Sequence, residues 1–187
     1  MKESERFELG QKGATHYQRA LAEASQHEVT MQGLSSYVLA EDQQWEQSPQ
    51  GLLKHLVNDQ MGTREFALDM YLQVIEAGEH SGKHRHFSEE VIYILEGSGY
   101  DLHWDPEFTV DVSYTWTWAE EPQRFEWAAE DFVVIPPYVN HQHFAGPDGR
   151  VRFVSSTARI IKAMGFDGLE QVESVEAHPH PGQPTGL

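Results

Sequence analysis

The sequence predicts an all-β protein, a β-barrel or jelly roll with an N-terminal helical extension and a short C-terminal helix and tail. Many short stretches alternate apolar and polar residues, which is the period of half-buried strands, and Gly, Pro, Asn and Asp separate them. About eight to ten such strands with little helix between them are typical of sandwiches and barrels. The 187 residues, 39% of them hydrophobic, suit one domain with extra length at its ends.

The N-terminal part predicts one helix, from Thr15 to Glu28. Apolar side chains recur there at helical spacing, and Thr15 stands where a helix cap is expected. We therefore expect an N-terminal extension over residues 1–50, a barrel over 51–165 and a partly disordered C-terminal tail over 166–187.

Turn residues, such as those at 58–62 and 146–149, separate the strands of the barrel. After the last strand, one helical turn is expected over 160–164. The strands are expected at 52–57, 66–74, 91–95, 100–104, 110–118, 125–127, 132–135, 141–144 and 151–155.

The segment Trp104–Trp127 is rich in aromatic residues and contains the clearest alternation in the chain, over 110–118. One face of a barrel strand must be buried, so we expect most of these rings to pack in the core. One or two of them are expected to line a pocket.

Composition excludes several classes of protein and of site. The chain has no cysteine, so a bound metal must be held by histidine, carboxylate or water. A net charge of −17 opposes binding to nucleic acid or to an anionic membrane. No stretch resembles a signal peptide or a membrane span, and we expect a soluble, cytoplasmic protein.

Histidines concentrate in two short windows of the sequence. Five of the eleven are His80, His84 and His86 in the first window, and His141 and His143 in the second. On an extended strand, residues two apart point to the same face, which predicts that His84 and His86 act together. Glu90 follows after a short break, while Lys83 and Arg85 alternate to the opposite face, where Arg85 can pair with an outer carboxylate.

The stretch from Gly78 to Gly97 resembles the first motif of the cupin superfamily: Gly, five residues, His-x-His, three residues, Glu, six residues, Gly. Every fixed position matches. The second cupin motif consists of Gly-Asp, Pro-x-Gly, His and Asn, and the chain matches it at Asp131, Pro136 and His141. The remaining positions of that motif, two glycines and the asparagine, are occupied by Glu130, Tyr138 and Ala145.

The resemblance implies that His84, His86, Glu90 and His141 bind one divalent transition metal inside the barrel. Fe(II) is the expected ion, and Mn, Ni, Zn, Co and Cu are alternatives, because imidazole and carboxylate suit all of them. A metal-free barrel with mutually hydrogen-bonded histidines is the other interpretation, but it would bury several polar groups without compensation.

Further residues are candidates for catalytic roles. His143 shares the orientation of His141 and is a candidate for orienting or deprotonating a substrate, and Glu90 is a candidate base if it detaches from the metal. His80 is either an acid/base group at the pocket rim or simply exposed. His178 and His180 also lie two apart, but the surrounding prolines and glycine argue against a site.

The function favoured by the sequence is a mononuclear non-haem oxygenase, a dioxygenase using Fe(II). Its substrate would be a small metabolite that is aromatic or carries an enediol or hydroxy-acid group. The alternatives are an oxygen-independent lyase, decarboxylase or isomerase, and a cupin that binds a small molecule without catalysis. Family habit and exposed strand edges also lead us to expect a homodimer.

Overall fold

The computed structural model describes residues 15–166 and 168–175. The chain divides into two compact units, Met1–Ser35 and Ser36–Leu187. In the first unit, helix α1 spans His16–Gly33 and is five residues longer at its C-terminal end than predicted. Its residues are mainly good helix formers such as Ala, Leu, Glu and Gln. Thr15 precedes the helix, but its side chain makes no capping hydrogen bond.

The second unit is built from antiparallel strands, which confirms the all-β prediction. The strands are β1 Trp45–Ser48, β2 Gly51–Val57, β3 Leu68–Ile75, β4 Lys83–Arg85, β5 Glu90–Glu96, β6 Ser98–Trp104, β7 Pro106–Val110, β8 Tyr114–Trp118, β9 Gln123–Ala128, β10 Phe132–Ile135, β11 Asn140–Ala145, β12 Val151–Ala158 and β13 Glu170–Glu173. They form a six-stranded sheet of order β1-β2-β3-β12-β5-β10, a five-stranded sheet of order β13-β4-β11-β6-β9, and a separate hairpin, β7-β8. A 3-10 helix, Ala40–Asp42, precedes the strands, and helix α2, Arg159–Ala163, lies where a helical turn was predicted.

The core lies between the inner faces of the sheets, as the alternation predicts. Along β5, Glu90, Ile92 and Ile94 are buried, whereas Val91 and Leu95 between them are exposed. The same alternation buries the inward side chains of β10 and β12. Glu90, the one buried charged residue of β5, therefore lies on the same face as the core residues Ile92 and Ile94.

Strands extend beyond both expected limits of the barrel. Strand β1 pairs with β2 before residue 51, and β13 pairs with β4 beyond residue 165. The segments expected to be extension and tail thus each supply a strand. The region from 176 onward, where we expected disorder and where His178 and His180 fall, lies outside the described residues.

The aromatic segment behaves differently from the expectation. The alternation over 110–118 is not one strand, because a bend at 111–113 folds it into the β7-β8 hairpin. Of the aromatics in Trp104–Trp127, all of them within the described part, only Trp127 belongs to the buried core. Rings such as Tyr114 are exposed, and the hairpin forms a two-stranded sheet of its own. Period-2 alternation predicts strands correctly but does not say whether both faces find a partner.

Among the described residues, no helix combines the length and the apolar character needed to cross a bilayer.

Candidate metal centre

Strand register brings the sequence-predicted ligands together. His84 on β4 lies directly opposite His141 on β11. His86 follows one residue after β4 ends, and Glu90 begins β5 in the other sheet. The two sheets therefore present their ligands to one point inside the barrel.

The four donor atoms lie close together in a buried position. The Nε2 atom of His86 is 3.0 Å from Oε2 of Glu90, and that of His141 is 3.3 Å from the same oxygen. The Nε2 atoms of His141 and His84 are 3.1 Å apart. All four donor atoms fall within 4.8 Å of one another, and all four residues are buried. Adjacent ligands about 2.1 Å from a shared ion are separated by about 3 Å, so these spacings fit a single metal.

Tautomers argue for a cation at this point. Nδ1 of His86 contacts the carbonyl of Ser88 at 2.8 Å, and Nδ1 of His141 contacts the carbonyl of Val139 at 2.9 Å. A carbonyl only accepts, so both Nδ1 atoms carry protons, and in a neutral ring Nε2 then presents a lone pair to Glu90 Oε2. Lone pairs facing a carboxylate repel one another without a cation between them. The chemistry of the donor set therefore fits a metal better than the hydrogen-bonded alternative.

Protonation states agree with this arrangement. Burial lowers the pKa of His84 well below its ordinary value, and the neighbouring His141 lowers it further. Burial likewise lowers the pKa of His141. Burial raises the pKa of Glu90, but the adjacent imidazoles of His141 and His86 outweigh it and hold that pKa well below the ordinary value. His84 and His141 thus favour the neutral imidazole and Glu90 the ionised carboxylate, which are the forms that bind metals.

The second oxygen of Glu90 is held by two hydroxyl groups that sequence reasoning missed. Oε1 accepts a hydrogen bond of 3.0 Å from the Tyr71 hydroxyl and another from the Ser155 hydroxyl. Tyr71 and Ser155 face each other across β3 and β12. Ser155 shares the buried face of β12 with Val151 and Phe153. A polar residue at an inward position of an apolar strand was the sequence feature that could have pointed to its role. Together the two hydroxyls aim Oε2 at the histidines.

His143 lies next to the ligand histidines but does not line the cavity over the site. Its ring centroid is 5.5 Å from that of His141 and 6.5 Å from that of His84. Its Nδ1 donates to Asp101 at 2.9 Å, and the indole of Trp127 donates to the same carboxylate oxygen at 2.8 Å. Burial opposes both shifts, yet the attraction between the pair raises the pKa of His143 and lowers that of Asp101. Asp101 is a second residue that the sequence did not single out.

His80 does not join the cluster. It is exposed, its Nδ1 is 2.9 Å from the carbonyl of Ser81, and its ring packs on Phe144. Of the two interpretations of His80, a rim acid/base group or an exposed histidine, the structure shows an exposed histidine outside the cavity lining.

Lys83 and Arg85 point away from the ligands, as the alternation predicts. The Arg85 guanidinium stacks 3.8 Å from the centroid of Trp118, donates to Asn140 at 3.1 Å and forms an ion pair with Glu170. Asn140 precedes His141, and Glu170 belongs to β13. Arg85 therefore ties the ligand strand to its neighbours on both sides.

The two residues that stand in place of glycine in the second motif adopt the left-handed backbone conformation that favours glycine. Glu130 has φ of 77° and Tyr138 has φ of 65°. In the first motif, Gly78 and Gly97 also have positive φ, at 77° and 87°. The turns of the motif are thus retained in spite of the substitutions, at a cost of roughly 1–2 kcal/mol for each non-glycine residue.

A cavity of about 270 Å³ opens over the site. His84, His86 and Tyr71 form part of its wall, whereas His143, His80 and the aromatic residues of Trp104–Trp127 do not. Its aliphatic wall is formed by Leu53, Val57, Met70, Ala158, Ile161 and Leu169. Its polar wall includes Gln50, His55, Asn58, Asp59, Asp69, Ser88, Arg159 and Lys162. The ligands are therefore buried but reachable by a small molecule.

Solved structures share this architecture at low sequence identity. An oxalate decarboxylase from Bacillus subtilis is 15% identical and matches 74% of this chain and 32% of its own, with a TM-score of 0.55. The chain has the cupin fold. A polyketide cyclase from Streptomyces resistomycificus is 17% identical over 79% of this chain and 90% of its own, with a TM-score of 0.50. A cupin-like protein from Thermotoga maritima is 21% identical over 76% and 88%, with a TM-score of 0.48.

The match spans about a third of the length of the oxalate decarboxylase chain. No family model matches its sequence, and the comparison with curated proteins finds no match.

Proposed function

We propose that this cupin is a mononuclear metal-dependent enzyme that acts on a small chelating metabolite, and specifically an Fe(II) dioxygenase. The observation that carries the proposal is the combination of four converging ligands with a cavity that has His84 and His86 in its wall. A purely structural metal site is closed, whereas a catalytic site leaves positions open to substrate.

His84, His86, Glu90 and His141 would hold the ion, which when bound would supply Lewis acidity and one-electron chemistry with dioxygen. Tyr71 and Ser155 keep Glu90 oriented by occupying Oε1. A base role for Glu90 requires Oε2 to leave the ion, and the same two hydroxyls would then keep the freed carboxylate in place. Buried side chains around the ligands exclude water from their outer side.

His143 fits a supporting role. Its hydrogen bond to Asp101 fixes the ring, and its position on β11 two residues after His141 helps to keep that ligand strand in register. Contact with substrate, which the sequence left open for His143, is not favoured by its place behind the ligands.

The volume and the wall of the cavity limit the size and the chemistry of the substrate. Pockets for drug-sized ligands are typically 300–1,000 Å³, and this cavity of about 270 Å³ suits a smaller molecule. Its aliphatic wall favours an apolar or aromatic body, and the metal end requires two oxygen donors, as in a catechol, an enediol or a hydroxy acid.

An oxygen-independent reaction is the second candidate function. Two proteins with this fold are named as an oxalate decarboxylase and a polyketide cyclase, so the fold also serves reactions other than oxygenation. The same ligands would then hold a Lewis acid such as Mn(II) or Zn(II).

Oxygen uptake by protein loaded anaerobically with Fe(II) tests the first candidate. The panel should contain catechols, hydroxybenzoates, enediols and hydroxy acids, with product analysis both in air and without oxygen. We expect uptake with at least one chelating compound and none with the His141→Ala variant. Turnover that proceeds equally without oxygen would replace the dioxygenase by the second candidate, and turnover of no compound would favour a binding protein.

A further inference from the structure

The wall of the cavity contains an imidazole that is not a metal ligand. Leu53, His55 and Val57 of β2 all line the cavity. His84 and His86 are the other two histidines in the described lining, and both belong to the ligand set. His55 is therefore an imidazole at the cavity that is free of metal binding.

A carboxylate orients this imidazole. Nε2 of His55 lies 2.6 Å from Oε2 of Glu46 on the neighbouring strand β1. Glu46 is opposite Leu53 in the register, so it is the diagonal neighbour of His55 on the same face. A carboxylate accepts from Nε2–H, which makes Nδ1 the nitrogen of the neutral ring that can receive a proton.

The strand register also relates His55 to the metal centre. His55 is directly opposite Tyr71 on β3, and the Tyr71 hydroxyl donates to the ligand carboxylate of Glu90. His55, Tyr71 and the ligand histidines His84 and His86 therefore line one and the same cavity.

Other ionisable groups in the cavity wall are less suited to take a proton from a ligand. The Arg159 guanidinium is a permanent cation and contacts Asp69 at 3.2 Å. Lys162 also lines the cavity, and an ammonium group donates instead of accepting. Asp59 and Asp69 lie in the same lining, and the Asp69 carboxylate is already paired with Arg159. An imidazole is the side chain whose proton affinity suits reversible transfer near neutral pH.

We infer that His55, oriented by Glu46, is the proton acceptor for the chelating hydroxyl of the substrate. In this step the O–H bond of the substrate breaks, its proton passes to Nδ1 of His55, and its oxygen keeps the electron pair and can bind the metal. The imidazolium that forms keeps its Nε2–H bond to Glu46, whose negative charge stabilises it. The inference rests on the proposed function, because it requires a chelating substrate.

Binding of 4-nitrocatechol tests the inference without knowledge of the substrate. This probe is a small chelator whose visible spectrum distinguishes its singly and doubly deprotonated forms. The zinc-loaded protein should bind it doubly deprotonated at about pH 7, with one proton taken by solvent and the other by His55. His55→Gln should bind about tenfold or more weakly, with the spectrum of the singly deprotonated form, and Glu46→Gln should show a smaller shift in the same direction.

Matched controls separate this role from a structural one. His80→Gln removes an exposed histidine outside the cavity, and Glu126→Gln removes an exposed carboxylate from a surface ion pair with Arg124. Both controls should behave like the wild type, and all variants should retain stoichiometric zinc. A His55→Gln variant that binds the probe with wild-type affinity and spectrum overturns the inference alone. If the wild type shows no zinc-dependent binding, chelation at this site is wrong and the inference falls with the proposed function.

Discussion

Two residues of the second motif, Glu130 and Tyr138, hold left-handed backbone conformations that glycine adopts more easily. Contacts of Tyr138 with neighbouring aromatic residues offset this backbone strain. Its ring lies 5.0 Å from that of Trp116 and 5.4 Å from that of Phe87, and its carbonyl accepts a hydrogen bond from Trp118. Glu130 is exposed and has no comparable ring contacts. The two positions should therefore respond in opposite ways to glycine.

We predict that Glu130→Gly stabilises the protein by about 1 kcal/mol, because relief of backbone strain exceeds the added entropy of the unfolded chain. Tyr138→Gly relieves the same strain but loses the aromatic contacts, and should destabilise the protein by about 1–2 kcal/mol. Denaturant unfolding of both variants against the wild type measures these changes. A destabilised Glu130→Gly would show that its backbone conformation carries no cost.

The ligand histidines predict how metal binding depends on pH. The pKa values of His84 and His141 are lowered in the folded protein, so both are neutral there, whereas in the unfolded chain they protonate at about pH 6.5. As pH falls below that value the unfolded state takes up protons that the folded state does not, and stability declines. Metal binding needs the same neutral rings, so it weakens in the same direction.

We therefore expect zinc affinity to be constant above about pH 7 and to fall as pH decreases below about 6.5. The melting temperature should fall less steeply over the same range, because the pKa of His143 is raised by Asp101 and its protonation stabilises the folded state as pH decreases. Titration of zinc binding across this range, with thermal melts of metal-free protein alongside, measures both effects. Affinity that stays unchanged down to about pH 5 would be incompatible with three imidazole ligands.

Among the elements, the three-residue strand β4 depends on its surroundings. It pairs with β11 on one side and with β13 on the other, and Arg85 bonds to both neighbours. Gly82 precedes this strand at a point of close approach, because a Cβ there would overlap the carbonyl of Pro49 and the side chain of Gln171. The position of His84 thus depends on contacts far away in sequence.

We predict that Gly82→Ala lowers stability by about 1–3 kcal/mol and weakens zinc binding, because the added methyl group must displace backbone next to the ligand strand. Gly149→Ala is the matched control, since its Cβ would meet no atom within 4 Å. Thermal unfolding and zinc titration of the two variants give the comparison. Equal behaviour of both variants would mean that β4 tolerates movement of its neighbours.

The elements also show which features could be predicted from the sequence. Ligands that lie close together in the sequence, such as His84, His86 and Glu90, follow from local spacing. Tyr71 and Ser155 reach Glu90 only because β3, β12 and β5 are neighbours in the sheet, and pairing between distant segments is not encoded in any local pattern. The same holds for Asp101, which meets His143 through the pairing of β6 with β11. The exposed aromatic hairpin was misread because alternation does not reveal what covers a strand.

At the scale of the whole molecule, a net charge of −17 opposes self-association except through an uncharged face. The outer face of β5 and β10 is such a surface, and β10 forms one end of the six-stranded sheet. Its exposed apolar side chains are Val91, Leu95, Phe132 and Val134. Exposed apolar patches of this kind mark interaction sites, and we propose that two copies of the chain meet here.

The homodimer is tested by Phe132→Lys, which places a charge at the centre of this face. We expect a dimer for the wild type and a monomer for the variant in size-exclusion chromatography with light scattering. Tyr114→Lys changes a similarly exposed aromatic residue on the hairpin and should leave the dimer intact. A monomeric wild type at micromolar concentration would contradict the proposal.

The central claim is that His84, His86, Glu90 and His141 hold one divalent metal. Elemental analysis of purified protein tests it most directly, with His86→Ala as the variant and His80→Ala as the control. The account predicts about one metal ion per chain in the wild type and the control, and very little in His86→Ala. Removing one of the four ligands leaves the ion with too few donor atoms to stay bound during purification. Full metal occupancy in His86→Ala would contradict it.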